Sequence, residues 1–207
     1  MESRILIQGQ FDGFCLLYSV MNSYKSLVKP RMKATTFVAN YYNLWNKLIN
    51  ITPSLHNFAS GKGSDFGVAR NKTDIEITQR LISSCFSVVT EEMKIKVKST
   101  PFDTSSIIDN DFSESVLILC VYQDTLLEYG PIGDHWITVV GVDADQSRLL
   151  VSCSYTPHDY QSVERTDPVT NRAYNNTLEL SQITSGNLYK NSVQRVSVES
   201  AQQTIQE

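Results

Sequence analysis

Apolar positions recur with helical spacing over roughly the first ninety residues, and with alternation or unbroken runs after that. From Cys15, the residues Leu17, Val20, Met21, Tyr24, Leu27 and Val28 line one face of a predicted helix. Lys29-Pro30 ends it, because the residue before a proline is steered away from the helical region. A second helix is predicted from about Thr35, with Phe37, Tyr41, Leu44, Trp45 and Leu48 on one face and Thr52-Pro53 beyond its end. A third carries Ile75, Ile77, Leu81, Ile82 and Cys85, and Thr73 with Glu76 reads as the capping box at its start. ASGKGSDFG, residues 59 to 67, reads as a Gly/Ser-rich loop before it.

After about residue 88 the pattern is that of strands. KIKVKS alternates, SVLILCVY is an unbroken apolar run suited to a central strand, and HWITVVGV is another. DADQS, between GVD and RLLVSCS, reads as a tight hairpin connection, and LYKNSVQRVSVES holds a late alternating strand. Helices first and sheet second predicts an α+β fold and argues against a doubly wound parallel sheet, which needs alternation throughout. The expected organisation is one domain over 1–207: a helical lobe of about 1–90 packed on an antiparallel sheet lobe of about 91–200, with the polar SAQQTIQE tail frayed.

Composition narrows the function classes. With 207 residues, 41% hydrophobic, the chain can build one substantial core. The net charge of −4 comes from interspersed acids and bases with no Lys/Arg cluster, so neither nucleic acid nor membrane is an expected partner. MESRILIQGQ lacks the pattern of a secretion signal, and no stretch approaches the roughly 18 apolar residues of a membrane span. The expectation is a mature chain in a reducing cytoplasm, its own or that of a cell into which it is delivered. Cys15, Cys85, Cys120 and Cys153 form no CxxC pair and no zinc-finger spacing, so no metal or other cofactor is expected. GKGS lacks the spacing and the preceding strand of a phosphate loop. NIT at 50, NKT at 71 and NNT at 175 match the glycosylation sequon and are read as chance.

Two residues offer chemistry. Only a thiolate attacks well, and a cysteine near the positive end of a helix is the one whose thiol is most readily activated. Cys15 is so placed, with Asp12-Gly13 as the expected cap and turn, although a small buried hydrophobe is the plainer reading of the same position. Cys85 and Cys120 lie within apolar runs and read as core. Of three histidines, His56 and His158 fall in polar, loop-like segments, whereas His135 heads an apolar strand after EYGPIGD. From there it can present Nδ1 to a sulfur on a distant helix, or simply face solvent.

Taken together, a cysteine opening an N-terminal helix, a glutamine shortly before it, and HWxxVxGVD starting a late strand resemble the papain-like cysteine peptidase superfamily. DGFCLL is also similar to the DGxCL[FY] motif of its ovarian-tumour-type deubiquitinase branch. The resemblance covers about residues 8 to 20 and 133 to 154. It implies a papain-like fold in which Cys15 is the nucleophile, His135 the base and a glutamine the oxyanion donor. Gln8 and Gln10 both qualify, and Gln8 better matches the bacterial peptide-processing branch. In the deubiquitinase branch the aspartate at the place of Asp12 belongs to the active site.

The superfamily orients its histidine with an Asn or Asp on the next strand, and here that stretch is VSCS, 151 to 154, with neither. If the hairpin turns at DADQS, Ser152, Cys153 and Ser154 return beside His135, and a serine such as Ser154 can accept from its ring. Asp12 and a backbone carbonyl are the alternatives. Asp134 points to the wrong face, since successive strand side chains alternate. The implied activity is a thiol protease, isopeptidase or deamidase acting on a protein or peptide, suited to a bacterial effector or toxin. The alternative is a degraded papain-like scaffold that serves as a protein-binding module. The loops 52–72 and 123–134 are expected to border the cleft, with Tyr129 and Trp136 as candidates to line it.

Overall fold

The computed structural model describes residues 4–8, 13–31, 34–59, 72–122, 124–184, 187–189 and 192–199. Four helices come first: α1 Cys15–Leu27, α2 Ala34–Ile51, α3 Leu55–Ala59 and α4 Lys72–Met93. The strands follow as β1 Val97–Pro101, β2 Ser115–Val121, β3 Thr125–Leu127, β4 Gly130–Ile132, β5 His135–Val142 and β6 Arg148–Ser152. A short helix α5, Thr156–Asp159, precedes β7 Arg165–Thr166, β8 Ala173–Tyr174, β9 Asn176–Glu179 and β10 Gln194–Val198. The fold is therefore α+β, with an N-terminal helical region and a C-terminal antiparallel sheet. Its main sheet runs β1-β10-β2-β5-β6-β9, and every neighbouring pair is antiparallel.

Both faces of this sheet are covered, which is why SVLILCVY and HWITVVGV read as unbroken apolar runs. Val116, Ile118 and Cys120 of β2, with Trp136 and Val140 of β5, join the helices in one core. Leu117, Leu119 and Val121, with Ile137 and Val139, enter a second core closed by Ile107, Phe112, Leu127, Ile132, Leu188 and Val193. Each fully buried aliphatic side chain on either face contributes about 1.5–3 kcal/mol relative to leaving it in water.

α1 is the central helix. Its buried residues include Ser19, Asn22, Ser23 and Lys25 as well as the expected apolar stripe, so it is enclosed all round. Its direction follows from two contacts. Thr138 Oγ1 donates to Ser19 O at 2.9 Å, which ties the middle of β5 to the middle of α1. Arg31, just past the helix, donates to Glu114 Oε2 at 2.5 Å, and Glu114 immediately precedes β2, which runs antiparallel to β5. α1 thus runs parallel to β5, and its N-terminus lies at the end of the sheet where β5 begins.

Local expectations fare unevenly. The DADQS connection is tight, with Asp143 N donating to Arg148 O and Gln146 N to Asp143 O, both at 3.0 Å, and Gln146 in the left-handed region at φ 55°. Helix α4 already includes Lys72, so Thr73 sits in its first turn and is not its cap. Of the stretch 123–134, the described residues 124–134 are not an open loop: they hold the β3–β4 hairpin, whose Leu127 and Ile132 seal the second core. GKGS lies outside the described residues. Among the described residues, no helix is long and apolar enough to cross a membrane, and no group of three or more His, Cys, Asp or Glu is placed to hold a metal ion.

Candidate active site

Four chain segments meet near the start of β5. The first is the N-terminal stretch, strung across from α1 to the 154–171 region. Arg4 is bound to Glu164 through its backbone N at 2.8 Å and its Nε at 3.1 Å. Leu6 exchanges two hydrogen bonds with the Asn22 side chain, at 2.8 and 3.2 Å. Gln8 N donates to Ser154 O at 3.0 Å, and Thr156 Oγ1 donates to Gln8 O. Gln8 is thereby held on both sides of its backbone against the end of β6.

The second is the start of α1. Gly13 N donates to Phe58 O at 2.7 Å, and Phe14 stacks on Phe58 with ring centroids 5.8 Å apart. Phe14 is the N-cap residue and its side chain makes no capping bond; its ring is anchored on Phe58 instead. Asp12 and Gln10 lie outside the described residues. Cys15 is the first residue of the helix, where backbone N–H groups have no intrahelical acceptor and the dipole is positive. It is buried in the helix-side core, and its thiol donates to Gly13 O at 4.0 Å.

The third is His135 itself, the first residue of β5, only 3% exposed. Its Nε2 is 3.3 Å from Ser154 Oγ, and its ring meets Tyr155 at 5.4 Å in an edge-on arrangement. Burial, helped by the proximity of His158, pulls its pKa down to about 3, so the imidazole is neutral at physiological pH.

The fourth is the turn after β6. Asn175 grips Cys153 with both ends of its amide: Cys153 N donates to Oδ1 at 2.8 Å, and Nδ2 donates to Cys153 O at 2.9 Å. Tyr155 N donates to Cys153 Sγ at 3.4 Å. These bonds set the position of Ser154, whose hydroxyl donates to Gln8 Oε1 at 3.2 Å. Burial pushes the Cys153 thiol up to about 12, with a smaller repulsive contribution from Cys15 near by. Ser152 is not part of the cluster, since its hydroxyl donates to Ala173 O at 2.6 Å.

The structure therefore joins Gln8, Ser154 and His135 by hydrogen bonds, and places Cys15 at the same end of the sheet on the helix side. Trp136 does not line a cleft: it is 1% exposed, in the helix-side core. His158 departs furthest from expectation. It is buried in α5, its Nδ1 accepting from Asn176 Nδ2 at 3.0 Å and its ring donating to the Pro131 carbonyl, and burial lowers its pKa. Tyr129 touches it edge-on at 6.4 Å. Nothing in TPHDY distinguished this histidine, because its partners come from β4 and β9, remote in sequence. Among models of known protein families and among curated proteins, none matches this chain.

Proposed function

We propose that this chain is a papain-like cysteine hydrolase acting on a protein or peptide carbonyl. The observation that carries the reading is the parallel course of α1 and β5, which sets a helix-opening Cys15 and a strand-opening His135 at one end of the sheet. Ser154 sits at His135 Nε2, the position where the superfamily keeps its orienting residue, and so leaves Nδ1 for the thiol.

In the first step the Cys15 proton passes to His135 Nδ1 while the sulfur adds to the carbonyl carbon and the π electrons move to oxygen. The Cys15 backbone N–H and the Gln8 amide nitrogen serve the oxyanion. Collapse expels the leaving amine, which takes the proton from Nδ1. Water then attacks the thioester, giving its proton to Nδ1, and the thiol and a carboxylic acid are released. Peptide cleavage, isopeptide cleavage and glutamine deamidation share this sequence and differ in the leaving group. Burial keeps the resting imidazole neutral, a base ready to take the Cys15 proton.

A non-catalytic binding module is the second reading, favoured by one observation: Cys15 and His135 are each only 3% exposed. Iodoacetamide labelling at pH 6 with peptide mapping separates the two. Cys85 and Cys153, whose thiols burial raises to about 12, serve as internal references. The hydrolase reading expects Cys15 to label at least tenfold faster than either, and His135→Ala to abolish that advantage. Equal labelling of all three would leave the binding module.

A further inference from the structure

We propose that Gln8 is a positioning residue that sets the tautomer of His135 through Ser154. The inference rests on the hydrolase reading for its catalytic meaning, and on three atoms for its geometry. A serine hydroxyl has one proton and two lone pairs. The Ser154 proton is committed to Gln8 Oε1 at 3.2 Å, an acceptor with no proton to return. What Ser154 Oγ can offer His135 Nε2 at 3.3 Å is therefore a lone pair, so Nε2 must carry the hydrogen. The ring is neutral and has a single N–H, which leaves Nδ1 as a bare base.

The chain Nε2–H to Oγ–H to Oε1 does by relay what a single Asn or Asp side chain would do directly. It explains why Gln8 is fastened so firmly. Its backbone N is bound to Ser154 O at 3.0 Å and its backbone O to Thr156, so its amide cannot drift from the hydroxyl it aligns. Without Gln8 Oε1, the Ser154 proton turns to Nε2 and the hydrogen of the ring moves to Nδ1, the tautomer that cannot accept a proton from Cys15.

Nitrogen-15 NMR of the protein labelled at the histidine rings reads the tautomer directly at pH 7. The wild type is expected to show the His135 proton on Nε2 alone. Gln8→Leu, which keeps both backbone bonds of residue 8, is expected to move at least half of the population to Nδ1–H. Gln8→Glu, which restores an acceptor, is expected to bring it back, and Ser154→Ala to behave like Gln8→Leu. Nδ1–H in the wild type, or a tautomer indifferent to Gln8→Leu, overturns the proposal. The iodoacetamide rate of Cys15 is measured on the same samples. A tautomer that follows Gln8 in a protein whose Cys15 is unreactive overturns the hydrolase reading and spares the relay. A reactive Cys15 with an indifferent tautomer does the reverse.

Discussion

Asn175 holds Cys153 by both backbone polar groups, accepting at 2.8 Å and donating at 2.9 Å, and Cys153 is the residue on which Ser154 hangs. Asn175 is 4% exposed, so its removal strands a buried N–H and a buried C=O with no water to replace the amide. Asn175→Ala is expected to lose about 1–3 kcal/mol for each stranded group, read by urea unfolding. Asn175→Asp keeps the acceptor and loses the donor, so it should fall between. An alanine variant as stable as the wild type would show that this turn is not what positions Ser154.

Gly141 and Asp167 are in closer contact than any other side chain at position 141 would allow. A Cβ on Gly141 would lie 2.8 Å from Asp167 Oδ2, in the β5–β6 register irregularity between Val139 and Gly141. The carboxylate cannot retreat cheaply, since it accepts from Val169 N at 3.1 Å and from Thr170 N at 3.2 Å. Gly141→Ala is expected to cost about 1–3 kcal/mol, the usual penalty of overpacking. Asp167→Ala alone should also destabilise, by releasing the 167–172 loop. The double variant should be less stable than the wild type but more stable than the sum of the singles predicts, and strict additivity would refute the contact.

What the sequence disclosed and what it hid follow from how local each feature is. The helices, the central strands and the DADQS hairpin were legible because apolar periodicity and turn chemistry are properties of neighbouring residues. The insertion of β10 between β1 and β2 was not, since strand order is decided by long-range pairing that no local pattern encodes. The full enclosure of α1 was hidden for a related reason: Ser19 and Asn22 look like a solvated face until Thr138 and Leu6 are brought to them. In the site, the hairpin reading led to Ser154 beside His135. Gln8 as its partner and His158 as a buried neighbour depend on segments 18 to 146 residues apart in the chain, which only the fold brings together.

His135 makes stability depend on pH in a definite direction. Its folded pKa of about 3 lies below the ordinary value of 6.5, so the unfolded chain binds a proton that the folded chain refuses. The contribution is fully present above pH 6.5 and is lost as pH falls from there toward 3. Between pH 7 and pH 5 the wild type should lose about 2 kcal/mol more than His135→Gln. His158 shifts in the same direction and remains in both proteins, so it cancels from the difference. Equal losses in the two proteins would mean that His135 titrates normally, in a wetter environment than its burial implies.

Arg172 is 6% exposed and makes its hydrogen bonds to carbonyls that belong to separate segments. Its Nη1 donates to Phe112 O, to Ser115 O at 2.8 Å and to Val140 O at 3.4 Å, and its Nη2 to Ser113 O at 3.0 Å. One guanidinium thus ties the 167–172 loop to the entrance of β2 and to the far end of β5. The planar fork matters more than the charge, because a single ammonium cannot reach acceptors spread over that span. Arg172→Lys is therefore expected to lose about 2–4 kcal/mol, close to the loss for Arg172→Met. Thermal unfolding of both variants decides the point. If lysine restores most of the stability that methionine loses, charge and not geometry is what the carbonyl cluster requires.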